Sequence, residues 1–482
     1  MASNFWSLEH SPDRLAVIVA PTGQQKTYGE LRADVEREAA GLSQLGRDSL
    51  LMLLAQNRYE CLVLYLAALQ AERALLLADA SLNEGLLQHF VGTYRPDFIY
   101  SCNQHSLSGY GHRNESGLTV YERERKEPVS VHNSLALLLN TSGSTGSPKL
   151  VRLSSNNLQA NAESIASYLM LTDRERPITS LPAAYSYGLS VINSHLFAGA
   201  CLVLTDHGVL RREFWDAVDA HSCTSFAGVP YTYQMLLKTG LLIQRGATLR
   251  TLTQAGGALA PDDIRKMHQL AVERGFRFFV MYGQTEASPR ISYVPFEHLG
   301  GKIGSIGVPI PGGSLRIDAS TDELVYTGPN VMLGYAECRE DLAKDDQLHG
   351  VLKTGDLARQ DEDGFFYITG RLKRFLKLFG KRFNLDEIEH IVESQFGVPV
   401  ACFGRDDLLM AVVEGNHSAA AAISEMLRET FNLPTNNVRV EAVAKLPRNP
   451  RGKTNYQALA HEGAQVAAAP NAAPSQGEAT RR

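Results

Sequence analysis

A run of apolar residues opens onto small, hydroxyl-bearing ones and ends in a lysine at residues 135–151, LALLLNTSGSTGSPKLV. Gly143 and Gly146 let the backbone come close to an anion, so that several N–H groups can point at phosphate oxygens. Ser142, Ser144 and Thr145 add hydroxyl donors beside Thr141, and Lys149 adds a positive charge. It is not a Walker loop: counted from Gly143, the required Gly-Lys falls on Pro148-Lys149, and Leu150 stands where a Mg²⁺-binding Ser or Thr is needed. In FFVMYGQTEAS, residues 278–288, an apolar strand ends in an aromatic, a glycine, a hydroxyl and a carboxylate, as suits the mouth of a parallel sheet. There Tyr282 can stack on a base, Thr285 can bind phosphate, and Glu286 offers Mg²⁺ a hard oxygen.

Two later stretches extend the set. Within residues 352–389, Asp356 lies in a tight turn and can accept from two ribose hydroxyls, and Arg371 supplies a forked donor to ribose or phosphate. In LPRNPRGKTNY, residues 446–456, Pro447, Pro450 and Gly452 form a stiff loop that presents Lys453. Read singly, each has a plain alternative: a flexible Ser/Gly turn, a strand followed by a helix cap, a solvated basic face, an ordinary loop lysine.

The elements that must position these residues follow from the pattern of apolar side chains. In TYGELRADVEREAAGLSQLG, Leu31, Val35, Ala39 and Leu42 recur at helical spacing. LLMLLA is strand-length, and CLVLYLAALQA reads as a buried helix; ACLVLT, SFAGV and FRFFVMYG read as buried strands. Strands separated by helices predict an α/β fold with largely parallel sheets. The expected organisation is a large domain over residues 1–370, whose part from about 303 to 370 is a small β-rich subdomain. A small α+β domain over 371–461 and a disordered tail over 462–482 follow.

Composition narrows the class. The net charge of −5 over 482 residues argues against a nucleic-acid-binding surface. No apolar run approaches the ~20 residues of a membrane span, and the start, MASNFWSLEHSPDR, does not read as a signal peptide. Six scattered cysteines without a CxxC pair predict reduced thiols in a cytoplasmic protein, and the histidines show no zinc-type spacing.

Taken in order, TSGSTGSPK, YGQTE, TGD with GRLKRFLKLFG, and PRGK resemble the core motifs of the adenylate-forming superfamily over roughly residues 8–460. Its members include acyl-CoA synthetases, aryl-acid and peptide-synthetase adenylation domains, and firefly-type luciferases. The resemblance implies a large α/β domain followed by a small mobile α+β domain. It implies use of ATP with Mg²⁺ to convert a carboxylic acid to acyl-AMP, then transfer to a thiol. By similarity, residues 141–149 orient the β- and γ-phosphates, Gly256, Gly257 and Ala258 line the adenine site, and Tyr282 with Gly283 lies against the base. Thr285 then contacts phosphate, Glu286 ligates Mg²⁺, and Asp356 and Arg371 hold the ribose. Lys453 bridges the reacting carboxylate and the α-phosphate, where it offsets the repulsion of two anions. Lys373 matches the family hinge, followed by Arg374 in place of the more usual acid; Lys377 and Gly380 match positions near the thiol step.

The acid pocket is expected among Tyr185, Ser186, Gly188, Ala227 and Gly228. Ser186 stands where amino-acid-activating members carry an Asp, and a buried ammonium without that partner is costly. A fatty or other non-amino acid is the first expectation, an aryl acid the second. The acceptor is expected to be CoA or the phosphopantetheine of a separate carrier protein, with an amine as the alternative.

Overall fold

A computed structural model gives the fold and describes residues 4–125, 130–140, 149–372, 374–378, 381–405, 408–415, 418–431, 433–448, 453–456 and 458–459. Of the expected site residues, Thr141, Ser142, Gly143, Ser144, Thr145, Gly146, Lys373 and Gly380 lie outside these, as does the tail 462–482. The chain divides into two compact units: Met1–Thr354 with Ala358–Ile368, and Gly355–Leu357 with Thr369–Arg482.

The first unit holds an eight-stranded sheet. Its centre is parallel, with Leu50–Ala55 paired to Ala74–Asp79 on one side and to Phe98–Ser101 on the other, and Leu135–Asn140 beyond Ala74–Asp79. Every residue of Leu50–Ala55 is buried, as the unbroken apolar run LLMLLA requires of a strand covered on both faces. Both edges are antiparallel. The hairpin Tyr110–Glu115 and Leu118–Arg123 closes one, and Leu150–Ser154 with the three-residue strand Gly334–Ala336 closes the other. The sheet is therefore mixed rather than largely parallel, because these edge strands lack the helical crossovers that parallel pairing needs.

A second sheet runs in the order Ser225–Gly228, Thr251–Gln254, Arg277–Tyr282, Ser292–Tyr293, Val308–Pro309, and its first three strands are parallel. Helices Ser155–Tyr168 and Ser186–Phe197 lie between the two sheets. Leu158, Ala162, Leu189 and Ile192 pack with Leu137, Leu139 and Leu153 of the eight-stranded sheet. Ile165, Tyr168 and Tyr187 pack with Ala227, Phe279 and Met281 of the second. Each of the larger aliphatic and phenylalanine side chains contributes about 1.5–3 kcal/mol from apolar burial, so these helices fix the position of whatever their ends carry. Helix Tyr28–Ser43 covers the outside, buries Leu31, Val35, Ala39 and Leu42, and starts at a reciprocal cap between Thr27 and Glu30. The β-rich stretch expected over 303–370 supplies Ser314–Ile317, Glu323–Thr327, Val351–Gln360 and Phe366–Arg371 to a four-stranded sheet.

The second unit has a hairpin, Phe375–Leu378 with Lys381–Asn384, and a three-stranded sheet of Val400–Arg405, Leu408–Glu414 and Val438–Val443. Helices Leu385–Phe396 and Ala420–Phe431 bury Ile388, Val392, Ile423 and Leu427 against Cys402, Leu409 and Ala411. Among the described residues no helix is long and apolar enough to cross a membrane, and all six cysteines are unbridged.

Candidate functional site

Strand Arg277–Tyr282 ends where its chain must fold back under its own continuation. A side chain at Gly283 would lie 1.7 Å from the Pro289 carbonyl oxygen, so only glycine allows this close approach. The turn leaves Tyr282 half-buried and carries Thr285 and Glu286 into a short 3-10 turn, Thr285–Ala287. Gln284 fastens it by donating to the Thr354 carbonyl at 3.1 Å.

Two residues far apart in sequence meet at Tyr335. Its hydroxyl donates to Glu286 Oε1 at 2.8 Å, and the Lys149 ammonium lies 5.8 Å from the centre of its ring. Lys149 also pairs with Glu337 Oε1 at 2.6 Å. Strand pairing sets this meeting, since Tyr335 stands opposite Val151, two residues beyond Lys149. Burial and the Glu286 carboxylate push the Tyr335 phenol up, so it stays protonated and remains a donor. Neither Tyr335 nor Glu337 is assigned a role from the sequence, although GPNVMLGYAE, residues 328–337, is one of the stretches that carry the family resemblance.

Glu286 keeps one carboxylate oxygen clear of that hydrogen bond, a hard ligand of the kind Mg²⁺ takes. Among the described residues no group of three or more His, Cys, Asp or Glu gathers to hold a metal by itself. One carboxylate fits an ion that arrives with a triphosphate and keeps most of its ligands from phosphate and water.

The acid-side candidates cluster beside this turn. Ser186 is the first residue of helix Ser186–Phe197, and its hydroxyl lies 3.0 Å from that of Thr285. Gly188 lies in the same helix, and Ala227 and Gly228 end strand Ser225–Gly228. Gly256 has φ +84°, a left-handed conformation that favours glycine, and it lies against the Tyr185 hydroxyl. Gly257 accepts at its carbonyl from Gln254 Nε2 at 2.9 Å, and Ala258 is exposed. The first unit thus gathers Lys149, Glu286, Thr285, Ser186, Tyr185 and Gly256 around the ends of its second sheet.

The second unit holds the remaining candidates. Asp356 and Arg371, both expected on ribose, pair with each other at 3.2 Å, with the Asp356 carboxylate mostly buried and the Arg371 guanidinium largely exposed. Lys453 is half-buried in a loop closed by the Asn455 amide, which donates to the Pro447 carbonyl at 2.8 Å, and by a bridge between Arg448 and Thr454. Lys377 stands opposite Arg382 in the hairpin.

Comparison with known proteins bears on the family and the fold. The family model described as AMP-binding enzyme matches residues 5–336. A sulfoacetate–CoA ligase of Cupriavidus necator is 30% identical over 66% of this chain, and the match spans 65% of that protein, just under two thirds. A feruloyl-CoA synthase of an Amycolatopsis species is 28% identical over 80% of this chain and 81% of its own length. A 2-succinylbenzoate–CoA ligase of Bacillus subtilis is 27% identical over 81% and 82% respectively. Among solved structures, ATP-bound MatB from Rhodopseudomonas palustris superposes with a TM-score of 0.76 at 24% identity, covering 97% of this chain and 100% of that one. MenE from Bacillus subtilis with ATP and magnesium gives 0.73 at 22%, covering 95% and 99%. At these identities the structural likeness speaks for the fold.

Proposed function

Since the chain belongs to the AMP-binding enzyme family, we propose that it uses ATP and Mg²⁺ to activate a carboxylic acid as its acyl adenylate and then passes the acyl group to the thiol of CoA. The observation that carries this reading is the convergence of Lys149 and Glu286 on Tyr335, which joins the end of the phosphate-loop motif to the carboxylate of YGQTE. In this reading Lys149 and the residues before it bind the triphosphate, and Tyr335 fixes which Glu286 oxygen faces the metal. Thr285 contacts phosphate, while Tyr282, Gly283, Gly256, Gly257 and Ala258 hold the base. Asp356 and Arg371 hold the ribose. Mg²⁺, where bound, neutralises charge on the phosphates. Lys453 offsets the repulsion between the incoming carboxylate and the α-phosphate, and no general base is needed because the acid is already ionised at neutral pH. Lys373 serves as the hinge, and Lys377 and Gly380 serve the thiol step.

CoA is preferred over a carrier protein because the relatives named above are CoA ligases or CoA synthases. Tyr185, Ser186, Gly188, Ala227 and Gly228 form the acid pocket, and the absence of an acid at Ser186 favours a non-amino acid, fatty or aryl.

The reading is tested by acid-dependent exchange of labelled pyrophosphate into ATP across a panel of organic acids, followed by CoA-dependent AMP release. Lys453→Ala should lower exchange roughly 10²–10³-fold, the size of one lost transition-state charge contact, while ATP binding survives. No exchange with any acid, or equal loss of exchange and ATP binding in the variant, would overturn it.

A further inference from the structure

Four residues past Glu286, Arg290 is buried at 2% exposure. Its guanidinium lies 4.3 Å from the centre of the Tyr187 ring and beside the Tyr168 phenol. Among the described residues no carboxylate pairs with it, and its Nε has no hydrogen-bond partner. The comparably buried Arg339 is treated differently: it pairs with Asp97 at 2.8 Å and donates to three backbone carbonyls. An isolated cation in an apolar interior costs several kcal/mol unless it gains a counter-charge, and stacking on tyrosine recovers only about 2 kcal/mol of that.

A cavity between helix Ser186–Phe197 and the second sheet is lined by Arg290, Val191, His195, Ser225, Ala227 and Thr253. Two more buried polar atoms of this lining lack partners, His195 Nε2 and Ser225 Oγ. His195 is neutral: burial pulls its pKa down to about 4, and its Nδ1 donates to the Val191 carbonyl at 2.8 Å, which leaves Nε2 as an acceptor. The groups of the lining left without partners are thus one forked cation, one acceptor and one hydroxyl, and the lining has no negative charge to balance the cation.

Ala227 belongs both to this lining and to the acid pocket assigned under the proposed function, so the inference rests on that reading. We propose that Arg290 is the specificity-determining residue of the acid pocket, and that the acid activated by this enzyme carries a second anionic group, carboxylate or sulfonate, at the end remote from the reacting carboxylate. The planar fork of Arg290 meets that group with two parallel N–H bonds, the geometry guanidinium favours for carboxylate and sulfonate oxygens. His195 and Ser225 then complete the polar end for a hydroxyl or water carried with the substrate.

The test uses the full chain and pyrophosphate exchange with matched acids of equal chain length: a monocarboxylic acid, the corresponding dicarboxylic acid, its monoamide, and the sulfonated monocarboxylic acid. The wild type should favour a dianionic acid over its monoamide by at least ~10-fold in kcat/KM, and the carboxylate and sulfonate arms identify the preferred anion. Arg290→Met should erase that preference, with a loss of about 10²-fold on the dianion and little change on the monocarboxylic acid, and Arg290→Lys should restore part of it. A preference for uncharged tails in the wild type, or a dianion preference that survives in Arg290→Met, overturns the inference while adenylation stands. Absence of exchange with every acid instead overturns the proposed function. Should Arg290→Met fail to fold, the wild-type panel and Arg290→Lys decide the matter.

Discussion

Arg374 in the second unit and Arg290 in the first are both withdrawn from water, and their surroundings differ in one respect. Arg374 donates to both oxygens of Glu389 at 2.7 and 2.9 Å, to Asp386, and to the Cys402 carbonyl at 2.7 Å, and it lies 4.0 Å from the centre of the Tyr456 ring. Burial alone would pull its guanidinium pKa down; the hydrogen bonds and charge of Glu389 outweigh it and hold the pKa above the usual range. Arg290 has aromatic neighbours and no acid. A cation whose charge is answered within the protein ties elements together, here the start of the hairpin to helix Leu385–Phe396 and to the loop that carries Lys453. A cation left unanswered costs folding free energy, and what balances it has to come from outside.

The contrast can be broken by substitution. Arg374→Met strands two carboxylates in the second unit and should cost about 3–5 kcal/mol there, seen as loss of hydrogen-exchange protection in helix Leu385–Phe396. Unchanged protection would mean the pairing is ornamental. A second measurement concerns the charge state of the cavity next to Arg290. His195 has a folded pKa of about 4 against 6.5 unfolded, so the unfolded chain takes up the proton first as pH falls. The stability associated with neutral His195 is complete above pH 6.5 and declines as pH falls towards 4, by about 3 kcal/mol in all. Urea midpoints between pH 7 and pH 4 should show this slope in the wild type, and His195→Gln should flatten it; parallel profiles would place His195 in a wetter setting. The smallest effect is expected at Arg290 itself. Arg290→Met removes a charge without orphaning an acid and should change stability by less than about 1 kcal/mol, or raise it. A loss as large as that in Arg374→Met would reveal a counter-charge and dissolve the distinction.

Much of this architecture is legible in the residues. LLMLLA reads as a strand because burial on both faces leaves no place for a polar side chain, and Tyr28–Ser43 reads as a helix because its apolar stripe recurs at 3.6-residue spacing. The strand Arg277–Tyr282 with its YGQTE turn is equally direct, whereas residues 186–197 read only as acid-pocket residues and not as the helix they form. The antiparallel edges are not, because pairings such as Gly334–Ala336 with Leu150–Ser154 join segments far apart in the chain, and three residues carry no period. Tyr335 is invisible for the same reason. Arg290 hides differently: in ASPRIS a charged residue reads as loop, and only burial without an acid beside it marks it out. Asp356 is expected in a tight turn and Arg371 just after one, but both lie within strands, Val351–Gln360 and Phe366–Arg371, and their mutual pairing depends on a register that no local pattern sets.

The short strand Gly334–Ala336 has a consequence for how this molecule tolerates change. Side chains alternate across a strand, so a slip of one position would turn Tyr335 away from both Glu286 and Lys149 at once. Insertions at the solvent-facing turns can be absorbed locally, but a single extra residue just ahead of Gly334 would propagate as a rotation. Spacing along the chain is thus itself a determinant of this cluster's geometry, one that a comparison of side-chain identities alone would overlook.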